Sequence, residues 1–243
     1  MARMGQRTED VTEPPRWAWL WLPPLLLLID VVFRIADRPL YARLWLTEEG
    51  VLENATAALL LPAIVAGVLI LRFRALLPGL PVRVWMGLTF LGSLYFAGEE
   101  VSWGQQWFGW ATPEPIGRLN DQNETNLHNM SSWLDQKPRL LLELWVLGGG
   151  VLWPLWLRWR RLAFAARHWA YWIVPTRPLL LTAALAILVK VPERLRDWFG
   201  LPIPPPFDMQ YSETQEFYFA VFLSLYLCSV YLRLRRLAAG RAS

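Results

Sequence analysis

The chain has 243 residues, 55% of them hydrophobic and 16 of them Trp, with a net charge of +4. Only 18% are charged, below the roughly 25% usual in soluble domains, and this excludes an ordinary water-soluble fold. The surplus charge comes from Arg at the ends of apolar runs, which suits membrane orientation rather than nucleic-acid binding.

Residues 1–16 are polar and mixed in charge and read as a cytoplasmic tail. Six runs then approach or exceed the ~18 residues needed to cross a bilayer. They predict an all-α integral membrane bundle with helices at Trp17–Phe33, Val51–Leu71, Val84–Trp103, Leu140–Leu157, Trp169–Val189 and Glu213–Leu232. Pro23-Pro24 predicts a kink or late start in the first helix. In the fifth, Pro175, Arg177 and Pro178 interrupt the pattern, so "HWAYWIVPTR" is expected to lie along the interface before a short span. Trp and Tyr crowd the ends of the runs, as in aromatic belts. A single cysteine, Cys228, rules out an intramolecular disulfide.

Basic residues set the orientation. Arg72, Arg74 and Arg83 flank the second loop, Arg158, Arg160, Arg161 and Arg167 the fourth, and the tail 233–243 carries Arg233, Arg235, Arg236 and Arg241. These segments contain no Asp or Glu, which predicts both termini in the cytoplasm. Of the 20 acids, Glu9, Asp10 and Glu13 lie in the N-terminal tail. The rest fall in outer loops or outer helix ends: Asp30, Glu49, Glu53, Glu99, Glu100, Glu143, Glu213 and Glu216 form a layer at one membrane depth. Glu53, Glu143 and Glu216 are in first turns, where the helix dipole favours an anion; Glu99 and Glu100 end a helix, where it does not. That pair therefore needs a cation, a shared proton or a hydrogen-bond network.

The outer loop 104–139 is longer than a helix hairpin requires and is the candidate site. It opens with "WGQQWFGW", suited to the interface. Further on, Asn120 to Asn129 hold eight Asn, Asp, Gln, Glu or His residues in ten positions. If "ETNLHNMSSWL" is helical, Glu124 and His128 share a face at i, i+4. The expected site is Glu99, Glu100, Glu124 and His128 for acid–base work, with Glu53, Asn54, Gln105, Asn126, Asn129, Glu143 and Glu216 in support. Glu100, Glu124 and His128 could also ligate one divalent metal, Zn, Mn or Fe. A di-iron bundle wants two Glu-x-x-His pairs, a structural zinc site wants cysteines, and neither is present. Ser102, Ser131 and Ser132 lack nucleophile-elbow spacing. The other histidine, His168, is read as facing headgroups on the cytoplasmic side.

The blocks "GEEVSWGQQWFGWATPE" and "NDQNETNLHN", with "EEGVLENATAALLL" as a weaker third, resemble signature blocks of an uncharacterised family of bacterial polytopic membrane proteins. The resemblance implies a bacterial inner-membrane location and brings no activity with it. Glu99-Glu100 with Phe164-x-x-x-His168 is also similar to part of the CAAX-protease-like motif set. The topology separates these two elements across the membrane, the third motif is absent, and the Arg expected after the Glu pair is missing.

The leading expectation is an enzyme, a hydrolase or transferase acting on a membrane lipid or lipid-linked substrate at the periplasmic interface. A proton- or cation-coupled transporter would use the same intramembrane acids, although transporter sites usually sit at the midplane between repeats and no repeat is visible. A non-catalytic assembly subunit would use the third loop for docking.

Overall fold

The computed structural model describes residues 13–45, 50–118, 124–126, 130, 132–205, 207–208 and 211–242. Among these all regular secondary structure is helical. In chain order the helices are α1 (Trp17–Ala36, opening with the π-turn Trp17–Trp21), α2 (Arg38–Trp45), α3 (Val51–Arg72), α4 (Gly79–Glu100), α5 (Gln105–Phe108) and α6 (Glu114–Gly117). There follow α7 (Ser132–Trp145), continued by the π-segment Val146–Leu152 into α8 (Trp153–Arg160), then α9 (Trp169–Ile173), α10 (Leu180–Leu188), α11 (Val191–Phe199) and α12 (Tyr211–Ala242). Six stretches are long and apolar enough to cross a membrane.

α12 is the central mast. Its apolar window is 83% buried, as expected of a helix hydrophobic all round its circumference. α3 packs along its length, α4 packs on α3, and α10 and the π-segment close the other side. The outer helices turn large apolar side chains outward: Leu25, Leu28 and Val32 on α1, Leu61, Val65 and Val68 on α3, Leu88 and Leu91 on α4. Exposed apolar faces on this scale suit contact with lipid. Several polar groups inside are paired with backbone carbonyls. Tyr218 donates to the Pro23 carbonyl at 2.8 Å, Ser224 donates to the Leu59 carbonyl, and the Tyr226 hydroxyl reaches the Trp172 and Ile173 carbonyls at 3.0 Å each. At Gly150 a Cβ would stand 2.7 Å from that of Ala183, so only glycine lets the π-segment approach α10 this closely.

Several predicted boundaries move. The third helix ends at Glu100 rather than Trp103, because Ser102 and Trp103 take left-handed φ values of 45° and 57° and Gly104 follows at 97°. The fourth begins at Ser132, not Leu140. The fifth breaks into α9 and α10 around Pro175, where the sequence pattern is interrupted, but gains α11 beyond Val189. α12 runs past Leu232 to Ala242, so the basic tail is helical and its first arginine, Arg233, is 3% exposed. α2 was not expected at all. It turns Tyr41 inward, where the hydroxyl donates to Asp30 at 3.1 Å.

Candidate functional site

The last turns of α4 place Tyr95, Glu99 and, just past the end, Trp103 at four-residue intervals. Trp103 folds back over Gly98, where a Cβ would lie 2.9 Å from its ring. Its indole N–H donates to Glu99 Oε1 at 2.6 Å, and the Tyr95 hydroxyl is a further hydrogen-bond partner of the same carboxylate. Glu99 is 5% exposed. A carboxylate held by two aromatic donors is how the helix tolerates an acid at its unfavourable end.

Glu100 points elsewhere. It lies within electrostatic reach of Glu216, Glu213, Glu53 and Arg139. Arg139 forms an ion pair with Glu216, the two side chains being 25% and 15% exposed. The expected carboxylate layer is therefore a cluster around Glu100, drawn from α3, α4 and α12, with a cation from α7. Glu143 is apart from it, in an ion pair with Arg194 of α11. Asp30 is likewise elsewhere, against Tyr41.

α4 and α7 meet at Trp85 and Trp145, whose rings stand edge-on 5.2 Å apart, and between that contact and the acid cluster they leave a cavity of about 430 Å³. Its walls include Trp85, Leu88, Phe96, Leu142, Trp145 and Phe219; Glu99, Glu100, Arg139 and Glu216 close the polar end. Rim residues Leu88 and Leu141 are 59% and 69% exposed, so the gap opens through an apolar face of the bundle.

The third loop is anchored at two points. Trp107 donates from its indole to Asn54 Oδ1 at 2.9 Å, and Asn54 donates to the Gly50 carbonyl at 3.0 Å. Gln105 clips three strands of chain: its amide donates to the Trp110 carbonyl (3.1 Å) and Thr112 Oγ1 (2.9 Å), and its oxygen accepts the Thr125 N–H at 2.6 Å. Nearby, Ser102 donates to Glu124 Oε2 at 2.7 Å, and the Asn126 amide donates to the same oxygen at 2.5 Å and to Ser102 Oγ at 3.2 Å. Asn54, Gln105, Glu124 and Asn126 thus position the loop.

Residues 124–126 are not helical, and the expected pairing of Glu124 with His128 lies outside the described residues. His128 and Asn129 lie outside the described residues. Among the described residues no group of three or more His, Cys, Asp or Glu is placed to hold a metal ion. His168 caps α9: its Nδ1 accepts the Ala170 N–H at 3.1 Å while the ring stacks on Phe164 at 4.5 Å. α9 packs against α4 beside Trp85, the two helices joined through Tyr226. Trp85 is about 20 Å of helix from Glu99, so the Glu pair and His168 stay apart.

Arg139, Arg194, Tyr95 and Trp103 are the participants sequence reading missed, and Ser102, weighed there as a nucleophile, donates instead to Glu124. For the two arginines a signal existed, since they are among the few cations on the acidic side of the chain.

Six apolar spans, five of them around the buried mast α12, define a multi-pass α-helical membrane protein. No protein family, curated protein or solved structure matches the chain.

Proposed function

We propose that the protein is an enzyme of the bacterial inner membrane, a hydrolase or transferase acting on a lipid or lipid-linked substrate, with both termini cytoplasmic and the site at the periplasmic interface. The observation that carries this is the gap between α4 and α7, apolar along its walls and ending at Glu100, Glu216 and Arg139. An acyl or polyprenyl chain fits the walls, and its headgroup meets the charged end. Cavities of roughly 300–1,000 Å³ with a few convergent polar groups are the usual form of small-molecule sites.

In this reading Arg139 orients an anionic headgroup. Glu100 takes the proton of an attacking water or hydroxyl and returns it to the leaving oxygen. Glu216 holds Arg139 in place, and Glu99 is a positioning residue that fixes the end of α4. Charges act strongly here because lipid and protein exclude bulk water.

The test uses purified protein in nanodiscs of total bacterial lipid extract, with products followed by mass spectrometry. Wild type is expected to deplete one lipid species and accumulate its product, and Glu100→Gln to abolish the conversion while remaining folded. Retention of an unconverted lipid by both proteins would overturn the enzyme reading. Proton or cation flux in vesicles that is lost in Glu100→Gln would replace it with a carrier.

A further inference from the structure

A second cavity, about 410 Å³, lies at the opposite end of the bundle. Glu216 and Arg233, which mark the two ends on α12, are separated by about 25 Å of helix, close to the ~30 Å of a bilayer's hydrocarbon core. The cavity is bounded by α8, α9 and the chain between them, with Phe164, Tyr171 and Pro178 among its apolar walls and Glu13, Arg177 and Arg233 as its charged groups.

Arg233 is the group that calls for a ligand. It is 3% exposed. Its Nε donates to the Ser229 carbonyl at 3.2 Å and its Nη1 to the Tyr171 carbonyl. The guanidinium lies over the rings of Tyr171 and Trp172, 5.0 and 5.8 Å from their centroids. Its Nη2 is buried and makes no hydrogen bond among the described residues. A buried donor on a full positive charge is costly to leave unsatisfied. Glu13 lies within electrostatic reach and accepts from Ser229 Oγ at 2.9 Å, so the acid's position is also fixed.

A fixed guanidinium with one open donor, a fixed carboxylate and an apolar wall match a zwitterion on a hydrocarbon tail. We propose that this cavity binds the headgroup of an aminophospholipid, its phosphate on Arg233 and Arg177 and its primary ammonium on Glu13. Arginine presents donors suited to phosphate oxygens, and a carboxylate accepts from a primary ammonium but not from a trimethylated one. The arginines at 158, 160 and 161, just beyond the cavity wall, add attraction for phosphate at the membrane surface. Because this site is about a membrane's thickness from Glu100, it stands or falls independently of the function proposed above.

The experiment is native mass spectrometry of the full chain released from nanodiscs containing equal phosphatidylethanolamine, phosphatidylcholine and phosphatidylglycerol. Wild type is expected to keep one phosphatidylethanolamine, preferred about tenfold over the other two. Glu13→Gln should erase the preference over phosphatidylcholine. Arg177→Gln should weaken retention of all three, and Arg233→Gln should abolish it if that chain folds. No retained lipid, or equal retention of the three by wild type, would overturn the proposal. Displacement by millimolar phosphoethanolamine or inorganic phosphate would assign the site to a soluble phosphate and overturn the lipid. An unchanged preference in Glu13→Gln would equally refute it.

Discussion

The ion pair of Arg139 and Glu216 gives the sharpest test of how the acid cluster is held. A unit-charge pair 4 Å apart interacts by about 4 kcal/mol at an effective dielectric of about 20. Desolvation and the residual exposure of the two side chains, 25% and 15%, reduce this, and we expect a coupling energy of about 1–3 kcal/mol in a double-mutant cycle. The single variants should differ. Arg139 faces Glu100 as well as Glu216, so Arg139→Gln leaves the acids of α3, α4 and α12 facing one another without it and should cost about 3 kcal/mol. Glu216→Gln leaves Arg139 beside Glu100 and should cost about 1 kcal/mol. The assay is reversible unfolding in mixed micelles followed by tryptophan fluorescence. Two results refute the reasoning: additivity within about 0.5 kcal/mol, or a larger loss from Glu216→Gln than from Arg139→Gln.

Three further outcomes are expected. Ser102 carries a hydroxyl bonded to Glu124 and Asn126 on a φ of 45°. Ser102→Ala should cost about 1–3 kcal/mol, and Ser102→Gly should recover about 1 kcal/mol of that by relieving the backbone, both read from unfolding midpoints. Asp208 anchors the loop before α12 to α1 and α2; partial burial would raise its carboxyl, but the hydrogen bond from Arg34 and the charges of Arg34 and Arg38 outweigh this and hold it below its ordinary value. The stabilisation is therefore fully present above the unfolded value of about 4 and is lost as pH falls through the lowered folded value, releasing the 201–208 segment to an acid-active protease only at strongly acidic pH. Metal content should be low and equal in wild type, Glu100→Gln and His128→Ala, because Glu99, Glu124 and Glu216 are already engaged by Trp103, Ser102 and Arg139. About one equivalent of Zn, Mn or Fe lost in both variants would instead make Glu100 and His128 ligands.

The spans were legible because length and apolarity are local properties. What the sequence hid were the partners. Nothing around Glu100 says that Glu216, 116 residues away, lies beside it, because that follows from α3 and α4 wrapping α12. The end of α4 was misplaced for a tertiary reason: Val101 and Trp103 look like two more apolar helical residues, but the Trp103 indole is drawn back onto Glu99. The apolar part of α12 seemed to stop at Arg233, yet that arginine is buried under Tyr171 and Trp172. α11 was missed because a short charged amphipathic helix after a long apolar run reads as loop. It is held by the pair of Arg194 with Glu143, two residues from different spans.

These ion pairs also bear on what the α4–α7 gap is for. Arg139 to Glu216 and Arg194 to Glu143 fasten α7 to α12 and α11 at its acidic end, and the Trp145, Phe222 and Tyr226 rings pack it lower down. α7 is fixed and meets α4 through Trp145 and Trp85 at the far end of the gap, so the opening does not depend on loose packing. Gly92 tests whether that opening is the path to Glu100. It lines the cavity from the interior of α4, and a Cβ there meets nothing within 4 Å. Gly92→Leu should therefore fold without strain and gain up to about 1 kcal/mol in helix propensity, while its side chain occupies the gap. The expected result is a protein at least as stable as wild type that no longer converts its lipid, although every charged group at the polar end is intact. Unchanged conversion by a folded Gly92→Leu protein would show that substrate does not come this way, and would leave the Glu100 cluster without its lipid.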